Sequence, residues 1–442
     1  MALSAPAPST RPAASPPGGE RYTYYPMAMA VLTAVFFMWG FLTCLNDILV
    51  PHLKSTFQLD YTRAILVQFT FFGAYFVMAM PSGRLVAALG YKKGIVAGLA
   101  IAGVGALGFW PAAALHSYPA FLGALFVLAT GITVLQVAAN PYVALLGPEQ
   151  TSSSRLTLAQ ALNSFGTTIA PYFGSVLILS NVVKTPQELA ALAPADQLAY
   201  QAQQAQAVQY PYLGLAVVLF LLALFVWAFR LPALAEATDK GDHDRHSFGE
   251  VLRHRHVLFG VIGIFCYVGA EVSLGSYMVN YLAMPEIGHL SEADAAKYVS
   301  LYWGGAMVGR FAGSLIMAWF SPRKLLAMFA TVNALLVATT MATSGHVAMY
   351  SVIAIGLFNS IMFPTIFALG IERLGPMTSK ASSLLIMAIV GGAVVPQLQG
   401  MLADRIGLQH AFILPLLCYA YIVFYGVSGS RVRDGAPKAP HA

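Results

Sequence analysis

Residues 36–53 read FFMWGFLTCLNDILVPHL. The stretch begins as lipid-compatible helix and then presents Asn46 and Asp47 before the helix has run its length. A charged side chain inside such a segment costs about 2.5–3.5 kcal/mol on insertion scales. Asp47 is tolerable only if it faces a wet cavity, finds a partner or carries a proton. All three point to transport chemistry.

The composition around it agrees. Of 442 residues, 58% are hydrophobic and 10% charged, against about 25% charged in soluble domains. The net charge of +6 does not indicate nucleic acid, because the basic residues form no patch with interleaved aromatics. They sit in short loops, mostly on one side. The first twenty residues are rich in Ala, Pro and Ser and lack a basic region followed by an apolar core. They read as a disordered tail, not a cleaved signal peptide. Cys44, Cys266 and Cys418 lie in separate apolar segments, from which neither a disulfide framework nor a metal site follows. No HExxH, GxSxG or Walker glycine loop occurs, so an enzyme is disfavoured and no cofactor is expected. A single chain with sparse charge offers no filter-like ring for a channel.

Apolar runs of roughly 18–25 residues, long enough to cross the hydrocarbon core, recur about twelve times. They cover residues 27–51, 64–89, 94–114, 119–146, 156–180, 210–230, 256–284, 297–320, 324–344, 347–371, 381–403 and 409–429. The expected fold is all-α and integral to the membrane. A tail over 1–25 precedes an amino-terminal six-helix bundle over 26–230. The polar stretch 231–255 links it to a carboxy-terminal six-helix bundle over 256–430, and a second tail covers 431–442.

Lys and Arg set the orientation. Arg84, Lys92, Lys93, Arg155, Arg253, Arg255, Arg323, Lys324, Arg373 and Lys380 fall on one side with the termini and the linker. Lys54, Arg63, Lys184, Lys297 and Arg405 fall on the other. The first side reads as cytoplasmic, which places the chain in an inner membrane with both termini inside. The halves also resemble each other in order. GAYFVMAMPSGRLVAALGYKKG from Gly73 matches GGAMVGRFAGSLIMAWFSPRKL from Gly304, and PYVALLG at Pro141 matches PTIFALG at Pro364. Gly166 and Pro171 match Gly391 and Pro396. Paired repeats suit a transporter whose halves tilt around a central site.

Only two carboxylates lie well within apolar spans, Asp47 in helix 1 and Glu271 in helix 7. Each is in the first helix of a half, so the repeat sets them facing across a central cavity. Polar residues at 3–4 spacing line further faces: Gly40, Thr43 and Asp47 in helix 1, Thr133, Gln136 and Asn140 in helix 4, and Gln160, Asn163 and Thr167 in helix 5. Helix 7 adds Ser273, Ser276 and Asn280, with Tyr277 and Tyr281 close by. Amides and carboxylates match vicinal hydroxyls, while aromatic faces match the C–H face of a pyranose. The candidate sugar contacts are therefore Asn46, Gln136, Asn140, Gln160, Asn163, Tyr277 and Asn280. Asp47 and Glu271 are the candidate proton or cation carriers. Asn359 stands alone in helix 10 and reads as helix-to-helix glue. Arg310 in helix 8 reads either as a cavity base or as an anchor of the bundle. Asn140-Pro141 has the form of a hinge, since proline removes a backbone donor and frees a carbonyl.

At LNDILVPHL, ANPYVALLGPE, LTLAQALNSFG, CYVGAEVSLGSY and FPTIFALGIERLG the chain resembles the fucose permease branch of the major facilitator superfamily. These are the fucose–galactose–glucose proton symporters, and the likeness covers nearly everything after the amino-terminal tail. It implies a proton-linked role for Asp47 and sugar contact for Gln160 and Asn163. Fucose permease itself has a second essential carboxylate in helix 4, where this chain has Gln136, which cannot carry a proton. LQVAANP and GAEVS are similar to the glucose/galactose-type members. The resemblance implies symport of a neutral hexose by alternating access, by a chain acting as a monomer in the lipid bilayer. An N-acetylglucosamine or fucose substrate, sodium as the coupling ion and a non-transporting sugar sensor stand as alternatives.

Overall fold

A computed structural model describes residues 25–56, 61–115, 117–177, 191–232 and 246–432. The principal elements are α1 (Pro26–Thr56), α2 (Tyr61–Leu89), α3 (Tyr91–Ala114), α4 (Tyr118–Leu145), α5 (Ser152–Leu177) and α6 (Pro194–Ala228). They continue as α7 (Arg255–Ala283), α8 (Glu292–Ile316), α9 (Pro322–Ala342), α10 (Gly345–Gly370), α11 (Gly375–Ile406) and α12 (Leu408–Gly429). No strand occurs among the described residues. Ten of these helices contain a segment long and apolar enough to cross a membrane. The other two, α5 and α8, are 26 and 25 residues long but carry polar faces. Together they make the expected complement, and the two most polar helices pack against each other.

Local sequence explains where the helices begin and end. Ser117 starts α4 by accepting from the Ala120 N–H, with Pro119 in the first turn. Ser291 does the same for α8 through the Asp294 N–H. Gly90 between α2 and α3 and Gly407 between α11 and α12 sit at φ 82° and 83°. That backbone region is open to glycine and strained for other residues, and it allows a one-residue turn. Arg155 gathers the carbonyls of Val143 and Pro148, at 3.2 and 2.9 Å, and so closes the end of α4. One boundary differs widely from the sequence reading: α6 starts at Pro194, not near residue 210. Its first turns, PADQLAY, lead into the glutamine-rich run QAQQAQAVQ over 201–209, which favours helix but carries no apolar signal.

In the first group, α1 lies on α5 and α3 lies on α4 and α6. A Cβ at Gly40 would come within 2.1 Å of the Asn163 carbonyl oxygen, and one at Gly166 within 2.3 Å of the Phe37 oxygen. Small residues thus bring the α1 and α5 backbones into contact. In the second group, α8 and α9 both pack on α10, while α7 lies against α11 and α12. Cys266 and Cys418, remote in sequence, neighbour each other between α7 and α12 and remain free thiols. The two groups meet along α2–α11, α4–α11, α5–α8 and α5–α10.

At the end that carries Arg155, Arg323 and Arg373 the groups are locked together. Ser154 Oγ donates to the Ser314 carbonyl at 2.6 Å, and Arg373 Nε donates to Glu149 at 3.3 Å. Both matched prolines act on the backbone nearby. Pro141 lacks the N–H that would bond Val137 O, and Ser382 Oγ on α11 fills that carbonyl at 2.9 Å. Pro364 frees Ser360 O in the same way, and α10 breaks at Ser360 and Ile361.

Candidate functional site

The polar faces read from sequence on α4 and α5 come together. Asn140 is fully buried, and Gln160 Nε2 reaches its Oδ1 at 3.5 Å. Asn140 Nδ2 is buried without a hydrogen-bond partner. A buried donor left unpaired costs about 1–3 kcal/mol. Gln136 Nε2 donates to Tyr75 Oη on α2 at 2.6 Å. Asn163 Nδ2 donates to the Phe36 carbonyl at 2.9 Å, which pins α5 to the helix bearing Asn46 and Asp47. The hydroxyls of Thr133 and Thr167 turn back onto carbonyls of their own helices, each at 2.8 Å. Asn46 and Asp47 lie in α1, but their side chains fall outside the described residues.

A second polar centre lies in the other group. Glu271 on α7 accepts from Tyr267 Oη at 2.6 Å and pairs with Arg310 of α8 at 3.8 Å. Both partners of the ion pair are only 13% exposed. Tyr302 Oη touches the Glu271 backbone carbonyl at 3.4 Å and accepts from Asn359 Nδ2 at 2.7 Å. Asn359 Oδ1 in turn accepts from Tyr419 Oη at 2.7 Å and Asn333 Nδ2 at 2.9 Å. Asn359 is therefore glue, and it ties α8, α9, α10 and α12 into one support behind Glu271. Arg310 also meets Ser164 of α5 and the Ser360 carbonyl of α10.

Two candidates stand apart from these centres. Tyr277 Oη donates to the Pro396 carbonyl at 3.0 Å, which commits it to holding α7 on α11. Asn280, one turn further on, is exposed. Tyr75, Tyr267, Tyr302 and Ser164 join the two centres without having stood out in the sequence. Tyrosine in an apolar run carries no periodic signal, and a serine beside Asn163 reads as part of the same face. Among the described residues no cluster of His, Cys, Asp and Glu could hold a metal ion. A separate cavity of about 490 Å³ opens at the basic end among Glu149, Arg323, Glu372 and Arg373. It is lined by loops and helix ends, not by the amides.

A bundle of membrane-length helices with buried amides on one group and a paired carboxylate on the other defines a multi-pass membrane transporter. The chain belongs to the Major Facilitator Superfamily, whose pattern matches residues 31–396. It is 53% identical over 407 residues to the glucose/galactose transporter of Brucella abortus, covering 92% of this chain and 95% of that protein. It is 38% identical over 407 residues to the L-fucose-proton symporter of Escherichia coli, covering 91% and 92%. The solved structure of FucP in the outward conformation superposes with a TM-score of 0.85 at 37% identity, covering 91% of this chain and 99% of that one.

Proposed function

We propose that this protein is a secondary active transporter that carries a neutral hexose of the glucose/galactose type together with a proton. The observation that carries the sugar reading is the amide face of Gln136, Asn140, Gln160 and Asn163, with its unpaired Asn140 Nδ2. Amides offer donors and acceptors side by side, as sugar hydroxyls require, and among the described residues no Lys or Arg hydrogen-bonds these four amides to select an anion. The relatives named above transport sugars, and they are transporters, not enzymes.

The coupling ion is a proton carried first by Asp47, with Glu271 as the second carboxylate in place of the acid absent at Gln136. One proton moving down 100 mV releases about 2.3 kcal/mol, enough for roughly fifty-fold accumulation of a neutral sugar. Alternating access follows from two six-helix bundles, 26–230 and 256–430, tilting about the site between them. The locked basic end supports a state open to the opposite side, in keeping with the outward conformation of the FucP structure it superposes on. The distribution of Lys and Arg supports an inner-membrane protein with that end and both termini in the cytoplasm, and we take it to work as a monomer. A panel of unlabelled sugars competing for labelled glucose in proteoliposomes tests the substrate class. Glucose and galactose are expected to compete best. Preference for fucose or N-acetylglucosamine would move the assignment within the family, and no uptake of any sugar would support a sensor.

A further inference from the structure

Arg310 joins both polar centres through two nitrogens of its guanidinium, and the third holds the break in α10. Nε donates to the Ser360 carbonyl at 3.3 Å, the carbonyl that Pro364 leaves without its helical partner. Nη2 faces Glu271 at 3.8 Å. Nη1 donates to Ser164 Oγ on α5, in the other group of helices. Ser164 in turn donates to the Gln160 carbonyl at 3.1 Å and follows Asn163 directly.

The sequence builds this reach. A Cβ at Gly309 would fall 2.5 Å from the Leu357 oxygen, and one at Gly313 would fall 2.3 Å from Ile361. With Gly305 beside Leu357, three glycines at four-residue spacing seat α8 against the break in α10. Arg310 follows the middle one, so it enters the break and extends beyond it to α5. A planar fork of fixed donors suits such shared holding better than a lysine ammonium.

We propose that Arg310 is a positioning residue that links the Glu271 carboxylate to the sugar-binding face of α5, so that the state of one centre is felt at the other. This rests on the sugar-symport reading above. The titratable and charged groups around Glu271 are Tyr267 on its own helix, Tyr302 and Arg310 on α8, and Tyr419 on α12. Loss of the guanidinium leaves Glu271 without its cation and Ser164 without its donor. Loss of Glu271 alone leaves Arg310 on Ser164 and Ser360.

The test compares wild type, Arg310→Gln, Glu271→Gln and the double variant in proteoliposomes, scoring glucose exchange at equal pH and accumulation under a pH gradient. Arg310→Gln is expected to lose tenfold or more of both. The double variant is expected to regain at least tenfold in exchange over Arg310→Gln, because the uncompensated carboxylate is gone, while its accumulation stays absent. Arg310→Lys is expected to restore exchange with an altered pH profile. A double variant no better than Arg310→Gln, or an Arg310→Gln with wild-type accumulation and pH profile, overturns the link. If wild type itself moves no sugar, the transport reading fails separately. The link is then judged by the unfolding midpoints of the same four proteins between pH 5 and pH 8. A non-additive and pH-dependent pattern supports it, and simple additivity overturns it.

Discussion

Pro141 in α4 and Pro364 in α10 occupy matching places in the two groups of helices, and each frees the carbonyl four residues before it. The freed carbonyls are filled differently. Val137 O takes a hydroxyl from Ser382 of the other group at 2.9 Å, and α4 stays helical through Leu145. Ser360 O takes the guanidinium of Arg310 from its own group at 3.3 Å, and α10 opens at Ser360 and Ile361. The residue before each proline differs as well. Asn140 is an amide within reach of Gln160, whereas Phe363 stacks on Phe367 with ring centroids 6.1 Å apart. One backbone device therefore serves two ends: it presents ligand-type amides on α4 and holds a charge on α10. The buried amides fall in one group and the ion pair in the other, with Arg310 and Ser164 between them.

The comparison can be broken most forcefully at Gly309. A methyl group there meets backbone oxygen at 2.5 Å, so Gly309→Ala must push α8 off the α10 break. Overpacking of this kind costs about 1–3 kcal/mol, expected as a lowered unfolding midpoint with loss of transport. An unchanged midpoint would show that Arg310 does not owe its reach to this contact. At the other proline, Asn140→Ala removes a donor that has no protein partner. It is expected to weaken sugar binding about tenfold, or about 1.4 kcal/mol. A KM equal to wild type would remove Asn140 from the site.

Ser382→Ala tests the lock across the groups. It strips Val137 O of its donor only while the basic end is closed, a bias of about 1 kcal/mol toward opening. A cysteine placed at Ser314, buried under Ser154 in this state, is expected to be alkylated several-fold faster in that background. Equal labelling would mean that the hydroxyl does not hold the end shut.

The smallest effect concerns pH at the same end. Burial, helped by the Glu149 carboxylate, holds the Glu372 carboxyl above the usual carboxylate range against the pull of Arg323. A carboxyl raised in the closed state and exposed in the open one takes up a proton on closing. The proton's contribution to the closed state is full below the ordinary carboxylate pKa and is lost as pH rises through the raised value. Acidifying that side is therefore expected to slow opening, and Glu372→Gln to flatten the dependence. A variant with the wild-type profile would assign the effect elsewhere.

Much of this architecture is legible in the amino-acid sequence. Hydropathy marks the apolar spans because a helix in lipid must satisfy its own backbone and present apolar side chains. It fails at the start of α6, where a polar helix continues beyond the apolar run, and it understates α5 and α8, whose polar faces turn inward. The four amides on α4 and α5 are readable because helical spacing places them on shared faces. Tyr277 and Asn280 satisfy the same spacing, but α7 turns them toward α11 and the exposed surface. The pairing of Glu271 with Arg310 has no sequence signal, since contact between α7 and α8 side chains depends on how the glycines of α8 seat it. Pro364 alone carries a usable hint, because a proline in a helix leaves a carbonyl that some donor must meet.

The proposed coupling rests on Asp47 as the chief carrier. The direct measurement is uptake of labelled glucose into proteoliposomes in sodium-free buffer under an inward proton gradient, with wild type beside Asp47→Asn. Wild type is expected to concentrate glucose above equilibrium, while Asp47→Asn exchanges it and only equilibrates. Concentration by Asp47→Asn, or concentration by wild type only when sodium is supplied, would contradict proton coupling through this residue.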